Sequence, residues 1–462
     1  MSKKMENGLF IFRRDLRIID NNGLNFLSEL CNNIYTIFIF TPEQVGSGNK
    51  YKSDNAVQFM IESLEDLSSE IRKQGGHLHT FYGHNEKVIA DCIKAWDINI
   101  VAFNLDITPY SRIRDDKIVK MCQRMKVFVT YSPDYYLCEP GTIKTETGLP
   151  YQKFTPFYNK ASKIKVQPPA NKKHLPLKNK ETHVPNKITL EQAMKKFVGK
   201  ENPNILVHGG RSEALKMLSR ATRDIKNYDA IHNDLNKKTT ELSAAIKFGC
   251  LSIREIYKAL HSKTGLIRQL YWRDFYGNIV YEFPQVLGHS LKPKYDKIKW
   301  HHNSNWFNAW CRGETGFPIV DAGMRQMNTT GYMHNRSRLI VASFLVKTLL
   351  IDWREGEKYF AQTLTDYSPE NNNGNWQWIS SSGADSQQFY RIFNPWMQGE
   401  NFDKDCEYIK KWVPELKDVP NKDILNWGDK YSEYKDIKYP KPIVDYKKQK
   451  ELILKIYSSA FH

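Results

Sequence analysis

Short apolar runs alternate with longer amphipathic stretches through the first 131 residues. Residues 8–17 (GLFIFRRDLR) begin as an apolar strand and run into a basic loop. Residues 34–40 (IYTIFIF), 78–82, 98–103 and 127–131 read as four more strands, rich in β-branched and aromatic side chains. Helical patterns lie between them. The clearest is 55–74 (NAVQFMIESLEDLSSEIRKQ), whose apolar positions recur at helical spacing until Gly75-Gly76. This alternation predicts parallel strands with crossover helices, a doubly wound α/β domain over 1–131. No GxGxxG follows the first strand, so the ordinary dinucleotide fingerprint is missing.

The pattern dissolves over 132–203. Pro140, Pro168, Pro169, Pro176 and Pro185, among many lysines, predict a long surface connector. From 204 to 462 most of the chain reads as helix, at 211–220, 251–260, 266–281, 333–351 and 356–365, with a basic helix over 439–460. A second, almost wholly α domain is expected there. Its densest stretch is 331–378. Asn335 and Leu339 share a helix face at i,i+4, with Arg336 and Arg338 flanking it. Asn371 to Asn375 is rich in amides and reads as a helix-breaking turn. Trp376 and Trp378, two apart, should meet different neighbours. A plain core helix, a turn and two core aromatics is the simpler alternative.

Charge changes this picture. The 462 residues carry 68 Lys and Arg against 51 Asp and Glu, a net charge of +17, which points to a polyanion such as nucleic acid. Solubilising surface lysines are the alternative, favoured for 171–180. No apolar run is long enough to span a bilayer, and the opening MSKKMENGLFIF does not read as a signal peptide. Seven cysteines without a CxxC pair argue against disulfides and structural zinc, and for a reducing compartment. No metal-ligand cluster, paired carboxylates or Ser/His/Asp arrangement stands out, so hydrolysis is not expected.

Four groups could carry chemistry. Lys237 to Ser243, with Thr239 and Thr240, precedes a helix whose N-terminal N–H groups could seat a phosphate; simple N-capping is the alternative. Gln269 and Trp272 share a helix face suited to a flat base, or are core and surface. Arg338 or its neighbours could pair with Asp366 if buried. Trp300, Trp353 and Trp376 lie on separate segments and could pass an electron if they stack in a row, or simply fill the core.

Taken together, FIFRRDLRIIDN (10–21), NLDITPYSRIRD (104–115), LPYQKFTPFY (149–158), TTELSAAIKFGCLS (239–252), QLYWRDFY (269–276), TGFPIVDAGMRQMNTTGYMHNR (315–336), NGNWQW (373–378) and RIFNPWMQGENFD (391–403) resemble the photolyase/cryptochrome family from end to end. The wording MHNR is most similar to class I cyclobutane pyrimidine dimer photolyases. The resemblance implies an N-terminal α/β domain, a connector and a helical domain holding FAD. It implies light-driven electron transfer from reduced FAD to a dimer flipped out of UV-damaged DNA. Tyr228, Thr239, Thr240, Leu242 and Ser243 match positions that hold the FAD ribose and phosphates. Arg338, Asp366, Ser368 and Asn372 match positions around the flavin ring. Gln269, Trp272, Arg273, Asn335, Arg336, Leu339, Trp378, Arg391 and Gln398 match positions that contact the lesion and its strand. Trp376, Trp353 and Trp300 match a photoreduction chain leading outward from the flavin.

Three residues depart from the class I pattern: Gln269 for a usual Glu, Leu339 for Met, and Ser368 for a second acid. Enzymes for (6-4) photoproducts carry histidines where this chain has Asn335 and Leu339, which disfavours that lesion. Asn372 stands where plant cryptochromes have Asp, which disfavours a signalling photoreceptor without repair. A DNA-binding module without redox work does not account for the FAD-seat residues. The family also varies a second, antenna chromophore of folate, deazaflavin or flavin type, or holds none, which no residue here decides. A monomer is expected, without membrane association, in the cytoplasm or nucleus.

Overall fold

The computed structural model describes residues 4–170, 174–179 and 183–459. Five strands form one all-parallel sheet in the order β3-β2-β1-β4-β5: β1 (Met5–Phe12), β2 (Cys31–Phe40), β3 (Leu78–Tyr82), β4 (Ile100–Asn104) and β5 (Phe128–Ser132). Helices α1 (Asn22–Leu30), α2 (Asp54–Lys73), α3 (Asn85–Trp96) and α4 (Pro109–Arg124) cross between them. Both sheet faces are covered, so the strands are apolar on both sides. Phe10, Phe12, Phe38 and Phe40 face one core, while Leu9, Ile11, Ile37 and Ile39 face the other. The doubly wound reading therefore holds. β2 starts earlier than its apolar run because Met5 and Asn7 pair with Cys31 and Asn33 through the backbone, which does not require apolar side chains. At the start of α2, Ser53 accepts from the Ala56 N–H, and the chain leaves the helix through Gly75 at φ 78.

The 132–203 stretch is more structured than a surface wrap. It contains helices Phe154–Ala161 and Leu190–Phe197, and bridges Ile34 to Leu177 and Phe81 to Lys187. Phe154, Phe157, Leu175 and Leu177 are buried, so apolar anchors among the prolines and lysines fix its path. The part of the lysine-rich run at 171–173 and 180 lies outside the described residues.

Among the described residues after 204 there is no strand. The helices that matter for function are α5 (Ser243–Lys247), α6 (Thr264–Glu282), α7 (Asn335–Lys347), α8 (Trp353–Thr363) and α9 (Pro369–Ser380). One expectation fails here: residues 371–375 do not form a turn but lie inside α9. Their amides are occupied by partners that leave the helical backbone intact. Asn371 Nδ2 donates to Ser368 Oγ, Asn373 Nδ2 to the Val286 carbonyl, and Asn375 Nδ2 to the Asn371 carbonyl. Gly374 is needed because a Cβ there would stand 2.1 Å from the Tyr276 ring. The expected tail helix begins only at Tyr446, after Pro440 and Pro442, and residues 460–462 lie outside the described chain.

The basic loop after β1 welds the two halves together. Arg17, 1% exposed, donates to the Gly249 carbonyl and to Asp134. Arg254 reaches back to Asp20 at 2.8 Å and to Asp134 at 2.8 Å. Arg14 pairs with Glu370 on α9 at 3.2 Å. Seven cysteines are buried as free thiols, and no described helix is long and apolar enough to cross a membrane.

Candidate functional site

A cavity of about 300 Å³ opens between α5, α6, α7 and α9. Leu260, Leu266, Leu270, Ala342, Phe360, Leu364 and Ile379 give it apolar walls, as a planar ligand requires. Twelve of the residues singled out from sequence share this wall: Thr240, Leu242, Ser243, Gln269, Arg273, Asn335, Arg338, Leu339, Asp366, Ser368, Asn372 and Trp376.

Two polar clusters face the cavity. In the first, Arg338 Nη2 donates to Asp366 Oδ2 at 2.9 Å and Arg338 Nε to the Met333 carbonyl at 2.9 Å. Burial alone would raise the Asp366 carboxyl, but Arg338, with Ser243 and Lys247, outweighs it and holds the group below its ordinary value. Among the described residues Asp366 Oδ1 is buried without a hydrogen-bond partner. An ionised carboxylate thus lines the cavity. The start of α7 that presents Arg338 is capped by His334, whose Nδ1 accepts from the Arg336 N–H at 3.2 Å. Burial and then the neighbouring Arg338 and Arg336 lower the imidazole to about 4, so it stays neutral and able to accept.

In the second cluster, Asn372 Nδ2 donates to both the Glu357 carbonyl and Glu357 Oε1, each at 2.9 Å. Committing the amide nitrogen leaves Asn372 Oδ1 as the atom available to a ligand. Burial pushes Glu357 up to about 7. Lys247 also lines the cavity and is lowered to about 7, first by burial and then by Arg14, with Asp366 and Glu370 pulling the other way.

The loop before α5 is held by a residue that sequence did not single out. Arg220 Nη2 donates to the carbonyls of Thr239 and Thr240 and to Glu241 Oε2 at 2.8 Å. Glu241 sits at φ 57, an unusual conformation that this arginine helps to fix. Thr239 itself points to Tyr332, 3.3 Å between hydroxyls, and lies just behind the cavity wall. Tyr228 stacks on His232, also outside it.

Several expected lesion contacts are turned elsewhere. Trp272 lays one ring face on Phe154, with centroids 3.7 Å apart and planes at 7°, inside an aromatic cluster with Phe275 and Tyr276. Arg336 binds Asn233 Oδ1 and lies over the Phe402 ring. Arg273 donates to the Tyr135 carbonyl at 2.6 Å. Trp378 is half-buried against the helical core, Arg391 is exposed, and Gln398 buries an unpartnered Oε1.

The tryptophans diverge as expected. Trp376, in the cavity wall, meets Phe360 edge-on at 5.0 Å. Gly356 of α8 gives it room, since a Cβ there would stand 2.2 Å from its ring. Trp353 is buried one turn earlier on the same helix. Trp300 meets Tyr457 edge-on at 6.4 Å. Among the described residues these three indoles make no direct ring contact with one another, so they do not stack in a row. Among those residues there is also no group of three side chains fit to hold a metal ion.

Known proteins resemble this chain along its whole length. The family model for DNA photolyase matches residues 9–176, and that for the FAD binding domain of DNA photolyase matches 266–459. The deoxyribodipyrimidine photo-lyase of Buchnera aphidicola is 33% identical, over 99% of each chain. An archaeal photolyase from Sulfolobus tokodaii, solved with two FAD molecules and discussed for a novel light-harvesting cofactor, superposes with TM-score 0.87. It is 39% identical and covers 98% of this chain and 100% of its own. A class III photolyase from Agrobacterium tumefaciens superposes with TM-score 0.90 at 31% identity, over 100% of this chain and 99% of its own.

Proposed function

The chain belongs to the DNA photolyase family, and we propose that it splits cyclobutane pyrimidine dimers in UV-damaged DNA under light, with FAD in the cavity. The residues present fit that cofactor. Buried Asp366 Oδ1 and the fixed Asn372 Oδ1 are two acceptors suited to ring N–H groups, between apolar walls suited to a planar ring. When bound, reduced FAD would supply the chemistry, a photoexcited electron lent to the cyclobutane ring.

The chain's own groups position and exclude. Arg338, Asp366, Ser368 and Asn372 hold the ring, Thr240, Leu242 and Ser243 seat the ribose and phosphates from the wall, and Tyr228 and Thr239 support that seat from outside it. Gln269, Asn335 and Leu339, which share the wall with them, receive the flipped lesion, with Arg273 beside them in the wall and Trp272, Arg336, Trp378, Arg391 and Gln398, which lie outside it, contributing to the strand's seat. A dimer is already poorly stacked, so extruding it costs only a few kcal/mol. The net charge of +17 favours the phosphate backbone. Asn335 and Leu339 offer no imidazole, which supports cyclobutane dimers over (6-4) products and the class I assignment. The observation that carries the reading is the Arg338–Asp366 pair sharing one cavity with the Glu357-fixed Asn372 amide.

A second cavity of about 840 Å³, lined by Phe103, Tyr131, Tyr135 and Tyr281, offers room for an antenna chromophore. Asp115 Oδ2 and Tyr135 Oη, both buried, lack partners there. We further propose a monomer in a reducing compartment, cytoplasmic or nuclear, in keeping with the seven buried free thiols.

The test is to reduce the flavin of the purified protein and illuminate it with a dimer-containing oligonucleotide. Intact thymines are expected to return, and the action spectrum reports whether a second chromophore feeds the reaction. No restored thymine with FAD bound would sink the repair reading. Trp376 lines the cavity and needs no ring contact with Trp353 or Trp300 to hand an electron to a ring bound there, so Trp376→Phe is expected to cut photoreduction of oxidised flavin to near background while sparing repair by pre-reduced enzyme. Loss of both would remove Trp376 from the electron chain.

A further inference from the structure

The chain between α9 and helix Pro395–Phe402 is an irregular stretch held by two lysines. Lys347, the last residue of α7, is 0% exposed. Its Nζ donates to Ser381 Oγ at 2.9 Å, to the Arg391 carbonyl at 3.2 Å and to the Gln388 carbonyl at 3.5 Å. Lys292 approaches the same stretch, with Nζ donating to Ser386 Oγ at 2.6 Å and to the Ser381 carbonyl at 3.3 Å. Its backbone N–H donates to the Ser382 carbonyl at 2.9 Å. Ser386 Oγ closes the arrangement by donating to the Ser381 carbonyl at 2.9 Å, and Asp385 N–H reaches the Gln152 carbonyl. Ser381 takes a left-handed φ of 71, so the turn that starts the stretch is itself a demanding conformation.

What this stretch shows to the outside is Tyr390, 63% exposed, followed by exposed Arg391. A ring on which a base can stack, next to a guanidinium that can meet a phosphate, suits a nucleic-acid strand. The acceptors on Lys347 Nζ are a hydroxyl and two carbonyls, with no carboxylate among them. Burying a cation without a counter-charge is unfavourable, and burial lowers this one to about 7. A methionine would fill the same space at lower cost, so the geometry of the three oxygens, more than stability, accounts for an ammonium here. The helix that ends in Lys347 begins with Asn335, in the cavity wall.

We propose that Lys347, assisted by Lys292, is a positioning residue that holds 381–391 as a preformed ledge for the damaged strand, in fixed register with the cavity. This rests on the repair reading above. Preformed loops bind more tightly because their ordering is already complete.

The experiment compares FAD-loaded wild type, Lys347→Met and Ser381→Ala for Kd toward a dimer-containing oligonucleotide. Repair yield at saturating DNA and hydrogen exchange of 381–391 are measured alongside. Lys347→Met is expected to weaken binding about tenfold or more, with faster exchange in 381–391 and unchanged FAD content and yield per bound lesion. Ser381→Ala, which removes one acceptor, should show a smaller loss in the same direction, and it carries the test if the methionine variant does not fold. Unchanged affinity overturns the proposal, as does a loss that appears only together with loss of FAD. If wild type does not prefer damaged DNA, the repair reading fails. Hydrogen exchange then judges the lysines alone, and unaltered exchange in the variants overturns their role.

Discussion

Replacing Asp366 with alanine is expected to leave the purified protein largely free of FAD and to destabilise it by about 3 kcal/mol or more. Among the described residues the carboxylate is the acidic partner of Arg338, whose guanidinium also donates to the Met333 carbonyl and lies over the Tyr332 ring. Removing it strands a largely buried cation and takes away the unpartnered Oδ1 that the cavity offers a ligand. Asp366→Asn keeps the shape and loses the charge, so it should fall between the two. The ratio of flavin to protein absorbance and the urea-unfolding midpoint check both effects. Full FAD occupancy in the alanine variant would remove Asp366 from the cofactor's seat.

The second large effect is expected at Glu370, at the junction of the two halves. Its side chain is 0% exposed, accepts from Arg14 at 3.2 Å and from the Tyr136 hydroxyl at 3.1 Å. Burial would raise it, yet Arg14, the Ser368 hydroxyl and Arg273 together outweigh burial and hold it at about 2 instead of the ordinary 4.5. A carboxyl whose pKa falls on folding stabilises the protein above its unfolded value and loses that contribution as pH drops through the folded value. The difference is on the order of 3 kcal/mol, present above about pH 4.5 and lost on acidification toward pH 2. Glu370→Gln should lose most of it already at neutral pH and show a flatter acid limb between pH 4.5 and 2. Urea unfolding across that range measures both. An acid limb as steep in the glutamine variant as in wild type would show that other carboxyls carry it.

Much of the architecture was legible because apolar periodicity reports directly on burial. The five strands, α2 and the five helices predicted between 211 and 365 lie within a few residues of their predicted bounds. Helices such as Ser304–Arg312 and Pro318–Thr330 fall outside every predicted range. The failure at 371–375 is instructive. Five residues of amide and glycine lower helix propensity locally, but Val286, Ser368 and Tyr276 supply partners that no local window contains. The cavity wall was readable where motif and geometry coincide, as at Arg338, Asp366 and Asn372. Residues that act across long separations were not. Arg14 and Glu370 stand 356 positions apart, and Arg220 meets the 239–241 loop from a helix whose pattern signals only amphipathicity. Trp272 shows the converse: its position matches a family motif, but Phe154, from the connector, covers one of its faces.

The weld between the two halves bears on timing. Hinge motions between domains take microseconds to milliseconds, whereas an absorbed photon must be used before the excited state decays, which is far sooner. An enzyme that brought a light-collecting group at the junction of the halves up to the flavin cavity only after excitation would waste most of its light. With Arg14 on Glu370, Arg17 and Arg254 sharing Asp134, and Arg254 on Asp20, the halves are clamped before any photon arrives. The architecture therefore suits a reaction in which all waiting is done in the dark, and in which brightness, not conformational exchange, sets the pace.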